Sequence, residues 1–357
     1  MNRFHTLRVA GVRPETRDAV TVTLQVPPEL EATFRYRAGQ HLGLRAEIDG
    51  QEVRRSYSIC ASELQRQLRI AIKRVPGGVF SNWANDRLAP GTPIEAMPPA
   101  GHFGIPFVPA SRRRYLAVAA GSGITPVLSV VRTALETEPD SDVTLVYGNR
   151  SSASVMFRDE IADLKDLYPA RLSVVHVLSR EQQDIELFNG RIDRARCDAL
   201  FARWVDVQEI DAAFVCGPLP MMQAVAEALA AAGVAPSAIR MEVFATSLPR
   251  APRAAEHPAP GRDECEVSVV QDGRTRRFAM AKNAASLLDA ALAQGIELPY
   301  SCKAGVCSTC RCKLVDGEVD MDASFALEDY EVARGFRLAC QSYPVTDRLT
   351  LDFDQEA

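Results

Sequence analysis

No segment of this 357-residue chain carries an apolar run near the ~20 residues that a bilayer crossing needs. Its first twenty residues, MNRFHTLRVAGVRPETRDAV, lack the apolar core of a secretory signal. A global basic excess is missing too: 41 Lys+Arg against 46 Asp+Glu leave a net charge of −5. That excludes a field able to gather nucleic acid or an anionic membrane. Histidine is scarce. None of His5, His41, His102, His176 and His257 pairs with a carboxylate at the spacing of a two-histidine, one-carboxylate iron site, so the chain is not expected to activate oxygen itself. Internal repeats are absent.

Cysteine is what the sequence does have. Four of nine lie within eleven residues (Cys302, Cys307, Cys310, Cys312), Cys340 follows, and Cys60, Cys197, Cys216 and Cys265 are scattered. An odd, clustered count without an export signal argues against a disulfide framework and for thiols or thiolate ligands in a reducing cytoplasm. At ~150 residues per domain the length predicts two or three domains. Hydrophobic residues at 47% and charged residues at 24% suit ordinary globular cores. Charge is uneven along the chain. From Asp263 onward there are ten basic and seventeen acidic side chains, a net −7 against +2 for residues 1–262.

Residues 1–108 alternate short β-like runs with turns: VTVTLQV (20–26), HLGLRAEI (41–48), RRSYSIC (54–60) and LRIAIKRV (68–75). This predicts an antiparallel β-barrel. Residues 109–247 repeat apolar strand, turn and amphipathic helix, which predicts an α/β domain on a parallel sheet covered on both faces. Within 248–262, the stretch PRAPRAAEHPAPG holds four prolines and nothing aliphatic larger than alanine, so it reads as a semi-rigid linker with a reach of roughly 40 Å. Residues 263–357 supply a hairpin, a helix and the cysteine-rich loop of a third, α+β domain.

Cys302, Cys307 and Cys310 read C-x4-C-x2-C, and Cys340 follows after 29 intervening residues, the plant-type 2Fe–2S spacing. Small intervening residues let backbone N–H groups approach the sulfur atoms. A structural zinc site is the alternative, since Cys307–Cys310 is a C-x2-C pair, but Cys340 has no second knuckle. Cys312 breaks the spacing and reads as a packing thiol.

In the first domain, Arg55, Tyr57 and Ser58 form R-x-Y-S, a cation, an aromatic ring and a hydroxyl on one strand. Gly77, Gly78 and Ser81 form a tight turn that opens a helix, an anion-binding arrangement. An ordinary strand and an N-capped turn are the plain readings of each alone. In the second domain, Gly121, Gly123 and Thr125 belong to G-S-G-I-T-P between an apolar strand and a helix, the setting of a phosphate turn without the third glycine of the dinucleotide fingerprint. No acid follows the next strand to take an NAD ribose. Arg150 and Ser179-Arg180 instead offer guanidinium forks and a hydroxyl to the 2′-phosphate of NADPH. Cys216-Gly217-Pro218 ends the last strand, where a nicotinamide would lie.

R-x-Y-S, Gly-Gly-x-x-Ser, G-x-G-x-T-P and Cys-Gly-Pro, in this order, resemble the ferredoxin–NADP reductase superfamily over about residues 1–247. The C-terminal part resembles a plant-type ferredoxin of β-grasp fold. The fused order matches reductase components of multicomponent oxygenases. The resemblance implies FAD held by Arg55, Tyr57 and Ser58, its pyrophosphate at Gly77, Gly78 and Ser81, and nicotinamide near Thr125 and Cys216. It also implies an adenosine phosphate at Ser179-Arg180-Glu181. The phthalate-type members use FMN, and the barrel residues do not separate the two. One departure concerns Phe244: the flavin-stacking aromatic of plant-type reductases ends the chain, whereas Phe244 precedes a linker. The implied activity passes electrons from NADPH to FAD, to a 2Fe–2S cluster and on to the oxygenase component, a di-iron or a Rieske ring-hydroxylating enzyme. Positioning and potential tuning suffice for this, so no side chain is assigned as acid or base. A zinc-loaded binding module is the non-enzymatic alternative. The acidic run Asp316–Glu331 reads either as a solvated face or as a docking surface for a basic patch on the oxygenase or on the flavin domain.

Overall fold

The computed structural model describes residues 4–244, 264–282 and 284–355. They fall into two compact units, residues 4–244 and the C-terminal remainder. The linker expected over 248–262 lies outside the described residues. No helix among the described residues is long and apolar enough to cross a membrane.

Six strands open the first unit: His5–Thr16 (β1), Ala19–Gln25 (β2), His41–Ile48 (β3), Gln51–Ser58 (β4), Leu68–Lys73 (β5) and Pro93–Ala96 (β6). They form an antiparallel sheet of order β4-β3-β6-β1-β2-β5. A bridge between Ile59 and Ile70, with Cys60 N–H donating to Arg69 O at 2.9 Å, joins the two ends and closes the barrel. Period-two alternation sends Val20, Val22 and Leu24 of β2, Leu42 and Leu44 of β3, and Ile70 and Ile72 of β5 into one core. Helix Val79–Arg87 (α1) adds Phe80 and Ala84 to it. β1 and β6 were not among the expected strands. β1 contains Gly11 and Pro14 and shifts register at two irregularities, after Val9 and after Pro14, which breaks the alternation that would announce it.

The chain then builds Arg114–Ala120 (β7), Ile124–Thr137 (α2), Asp142–Asn149 (β8), Arg158–Leu167 (α3), Leu172–Leu178 (β9), Arg194–Arg203 (α4), Ala212–Cys216 (β10), Leu219–Ala231 (α5) and Ile239–Glu242 (β11). The five strands pair in parallel in the order β11-β10-β7-β8-β9. Gly233 follows α5 with a φ of 90°, the left-handed C′ conformation that glycine adopts without a Cβ penalty. The chain steps outward from β7 through β8 to β9, then returns to the other side of β7 as β10. The carboxyl ends of β7 and β10 therefore flank the switch point, where such sheets leave a crevice.

Barrel and parallel sheet are tied together by polar contacts. Ser129 Oγ donates to Ala61 O at 2.7 Å, and Phe157 N–H donates to Glu15 Oε1 at 2.6 Å. Arg69 of β5 donates to Glu160 of α3 at 2.6 Å.

The second unit holds Glu264–Gln271 (β12), Arg274–Ala281 (β13), Leu287–Ala293 (α6), Arg311–Asp316 (β14), Val319–Met321 (β15), Asp329–Ala333 (α7), Phe336–Leu338 (β16), Ser342–Pro344 (β17) and Arg348–Asp352 (β18). A mixed sheet of order β13-β12-β18-β14-β16, parallel at β12–β18, is accompanied by the small β15–β17 pair. α6 lays Leu287, Leu288 and Ala291 onto this sheet's core, a β-grasp arrangement.

Candidate functional site

The loop after α6 winds through three left-handed residues, Lys303, Gly305 and Ser308, at φ 52°, 75° and 50°. Two of these are not glycine, an uncommon conformation that wraps the backbone around a centre. The fourth cysteine arrives by register. Arg311 of β14 pairs with Leu338 of β16, and Ala339 N–H donates to Cys310 O at 3.0 Å, which sets Cys340 beside Cys310. The sulfurs come as two neighbouring pairs, Cys302 with Cys307 and Cys310 with Cys340. No three His, Cys, Asp or Glu side chains among the described residues converge as ligands of a single ion. Two pairs fit a two-iron cluster, which takes two thiolates per iron, better than one tetrahedral zinc.

Cys340 is held towards the thiolate, whereas Cys302 and Cys310 are pushed the other way by their cysteine neighbours and by burial. Hydrogen bonding from Cys310, then from Gly305 N–H and the Gln341 amide, holds the Cys340 thiol below its usual range. Ala304 N–H donates to Cys302 Sγ at 3.3 Å. Cys312, by contrast, points into the core of β14, where burial pushes its thiol up to about 12. The acidic run is smaller than its sequence suggested. Glu331 is fully buried, pairs with Arg311 and accepts from Glu328 N–H at 2.9 Å to cap α7, so it belongs to the fold rather than to the exposed face.

At the barrel, Tyr57 packs against Phe80 with ring centroids 5.4 Å apart, and burial raises its phenol. Arg55 is exposed and donates to Arg54 O at 2.6 Å. Gly77 turns at φ 71° and Gly78 precedes α1, whose first-turn N–H groups face outward along the helix axis. Ser81 lies inside the turn itself. Its hydroxyl is buried, accepts from Val75 N–H at 3.1 Å and donates to Gly78 O at 3.3 Å, so it shapes the turn.

The switch point gathers the remaining groups. Gly121 takes φ 54° after β7. A Cβ on Gly123 would lie 2.1 Å from Cys216 O, so glycine is what lets the start of α2 touch the end of β10. Gly217 is packed similarly, a Cβ there falling 2.7 Å from Met221 Cε. Thr125 is buried and donates to Ser122 O at 3.0 Å. Phe244 follows β11 and packs against the nucleotide-domain core.

Sequence reasoning missed Glu242. β11 pairs Glu242 with Cys216, and Ser58 Oγ of the barrel donates to its Oε1 at 2.6 Å across 184 residues. Glu242 Oε2 is buried with no partner among the described residues. Burial lifts this carboxyl to about 7, its bond from Ser58 opposing the rise, and its charge helps push the buried Cys216 thiol up. Nothing in the short strand IRME marks the residue; the one available signal was an acid two places before Phe244.

Beyond the strand ends, β8 and β9 keep pairing: Ser179 N–H donates to Asn149 O at 3.0 Å and Arg180 N–H to Arg150 O at 2.8 Å. This sets Arg150 beside Ser179 and Arg180. An acid is present after all, from β9 rather than β8, for Glu181 accepts from Ser152 N–H and Oγ at 2.8 and 2.9 Å.

Comparison with known proteins agrees with this arrangement. Residues 7–105 match the model of an oxidoreductase FAD-binding domain, 117–227 that of an oxidoreductase NAD-binding domain, and 269–345 that of a 2Fe-2S iron-sulfur cluster binding domain. The chain is 46% identical to a subunit of the 1,2-phenylacetyl-CoA epoxidase of Escherichia coli (strain K12), over 99% of both chains. It is 37% identical to the ferredoxin reductase component of 3-ketosteroid-9-alpha-monooxygenase from Rhodococcus rhodochrous, over 97% of this chain and 96% of that one. Among solved structures it matches phthalate dioxygenase reductase at TM-score 0.58 and 23% identity over 98% of each chain. It matches an intact type IV self-sufficient cytochrome P450 monooxygenase at TM-score 0.68 and 24% identity, over 98% of this chain and 41% of that longer one. At those identities the two structures speak for the fold. A flavin barrel, a nucleotide sheet and a ferredoxin domain in one chain define an NAD(P)H-oxidising flavin and iron–sulfur oxidoreductase. Within that class the chain belongs to the family of reductase components of multicomponent oxygenases.

Proposed function

We propose that this chain is a cytoplasmic, NADPH-dependent reductase that serves the di-iron oxygenase component of a phenylacetyl-CoA epoxidase in aerobic phenylacetate degradation. Its domains run 1–108, 109–247 and 263–357, with a linker at 248–262. When bound, FAD and a 2Fe–2S cluster supply the division of a two-electron hydride into single-electron transfers. The observation that carries the reading is the meeting of Ser58, Glu242 and Cys216 at the switch point, which brings flavin-domain and nucleotide-domain groups to one place. Full-length likeness to the Escherichia coli epoxidase component supports the choice of partner.

The chain's residues position and insulate. Arg55 and the turn of Gly77, Gly78 and Ser81 that opens α1 hold the flavin pyrophosphate, and Tyr57 flanks the ring. Ser58 is oriented by Glu242. Gly121, Gly123 and Gly217 bring backbone close to the nucleotide, Thr125 and Cys216 border the nicotinamide, and Phe244 closes that side. Arg150, Ser179 and Arg180 hold the 2′-phosphate. Cys302 with Cys307, and Cys310 with Cys340, hold the irons.

An anaerobic absorption titration tests this. Bleaching of flavin and iron–sulfur bands, efficient with NADPH and poor with NADH, is expected; equal efficiency removes the phosphate role of the arginines. The likeness to the 3-ketosteroid-9-alpha-monooxygenase component favours one second reading, a reductase for a Rieske or other ring-hydroxylating oxygenase. Turnover with purified acceptors separates the two.

A further inference from the structure

The loops after β8 and β9 form a cradle that is already filled. Ser152 donates twice, through N–H and Oγ, to the single oxygen Oε2 of Glu181. Arg150 and Arg180 flank the pair, and neither guanidinium has a hydrogen-bond or ion-pair partner among the described residues. Two unpaired cations, a hydroxyl and a backbone N–H are what a phosphate monoester seeks. The chain has placed its own carboxylate on two of those donors.

We propose that Glu181 is a specificity-determining residue that occupies part of the 2′-phosphate subsite and sets the preference between NADPH and NADH. This rests on the assignment of that subsite to Arg150, Ser179 and Arg180. A 2′-phosphate gains the donors of Ser152 only by displacing the Glu181 carboxylate, and it meets like-charge repulsion until it has done so. The unphosphorylated ribose of NADH has hydroxyls that donate to the same carboxylate. Glu181 thus works against the two arginines: they favour the phosphate, and it lowers the margin by which the phosphate wins. Because Glu181 is exposed and bonded to one neighbour, its replacement leaves the folding core untouched.

The test uses the flavin-loaded full chain and two probes, 2′,5′-ADP and 5′-AMP, with flavin reduction by NADPH and NADH measured alongside. In Glu181→Gln the amide oxygen still accepts from Ser152, so the loop keeps its shape while the charge is gone. Affinity for 2′,5′-ADP rises about tenfold, 5′-AMP gains nothing, and the NADPH to NADH efficiency ratio rises to match. An unchanged or lower ratio in Glu181→Gln overturns the proposal, and a loss of 2′,5′-ADP affinity would mean that Glu181 merely braces the loop. The NADPH assignment fails separately. Were it wrong, the wild type would bind both probes equally and Arg180→Ala would change neither, while Glu181→Gln would still report on Glu181 through its weaker use of NADH.

Discussion

The cysteine loop and the switch-point cleft are built from the chain in opposite ways. Three of the four sulfurs come from residues 302–310, and a single strand register delivers the fourth. The cleft draws Ser58 from β4, Gly123 from the turn before α2, Cys216 from β10 and Glu242 from β11. A site written into one loop depends on its ligands and little else. A site assembled from four elements depends on packing at positions that carry no chemistry of their own.

The largest effect is therefore expected at the ligands. Cys307→Ser or Cys310→Ser removes one thiolate from one of the two pairs, and because even outer-shell changes cost metal sites 10- to 100-fold, electron delivery to a one-electron acceptor should fall by about a hundredfold or more. Iron and acid-labile sulfide content should fall with it, while reduction of the flavin by NADPH continues. Cys312→Ser should keep its cluster, because that thiol is buried in the sheet core and donates towards Arg337 O. Equal loss of sulfide in Cys312→Ser and Cys310→Ser would erase the distinction between ligand and packing thiol.

The same contrast explains what could be read in the sequence. The spacing of Cys302, Cys307, Cys310 and Cys340 can be read off the chain directly, so a 2Fe–2S domain was legible. Apolar strands β7, β8, β9 and β10 were equally plain, since burial on both faces makes continuous runs. β1 was hidden by its irregular register and β11 by its four-residue length. Glu242 and the Glu181–Ser152 contact were hidden for a deeper reason: each exists only because two distant segments are paired, and neither segment shows it alone. Ser81 was opaque in the other direction. Two glycines and a serine suggest an anion turn, and the sequence does not announce that the folded turn also uses the hydroxyl itself, which accepts from Val75 N–H and donates to Gly78 O.

The next effect tests the packing half of the comparison. In Gly123→Ala the new Cβ meets Cys216 carbonyl oxygen at 2.1 Å, and backbone on both sides leaves nothing flexible to yield. A cost of about 3 kcal/mol is expected in urea unfolding. Flavin reduction by NADPH should slow about a hundredfold, because the start of α2 and the end of β10 are forced apart. Gly121→Ala meets open space and carries only the left-handed backbone cost, about 1 kcal/mol. If the two variants behave alike, the close approach of α2 to β10 is not what the cleft depends on.

The smallest effect is the most specific. Burial raises Glu242 from 4.5 to about 7. The native state thus holds its proton over a range in which the unfolded chain has lost it, and native stability falls as pH rises. The contribution is complete below pH 4.5 and lost as pH passes 7, a change of about 2 kcal/mol between pH 5 and pH 8. Glu242→Gln cannot ionise, yet its amide oxygen still accepts from Ser58. Its stability relative to wild type should therefore be near equal at pH 5 and about 2 kcal/mol greater at pH 8, read from urea midpoints. Wild type is expected to show an inflection near pH 7 in its rate of flavin reduction, and the same variant should lack it. Parallel stability curves for the two proteins would mean that Glu242 is charged throughout, with water or another donor at the Oε2 atom that has no partner among the described residues. A lost inflection with unchanged geometry at Ser58 would instead show that the barrel and the nucleotide sheet meet through one titrating proton.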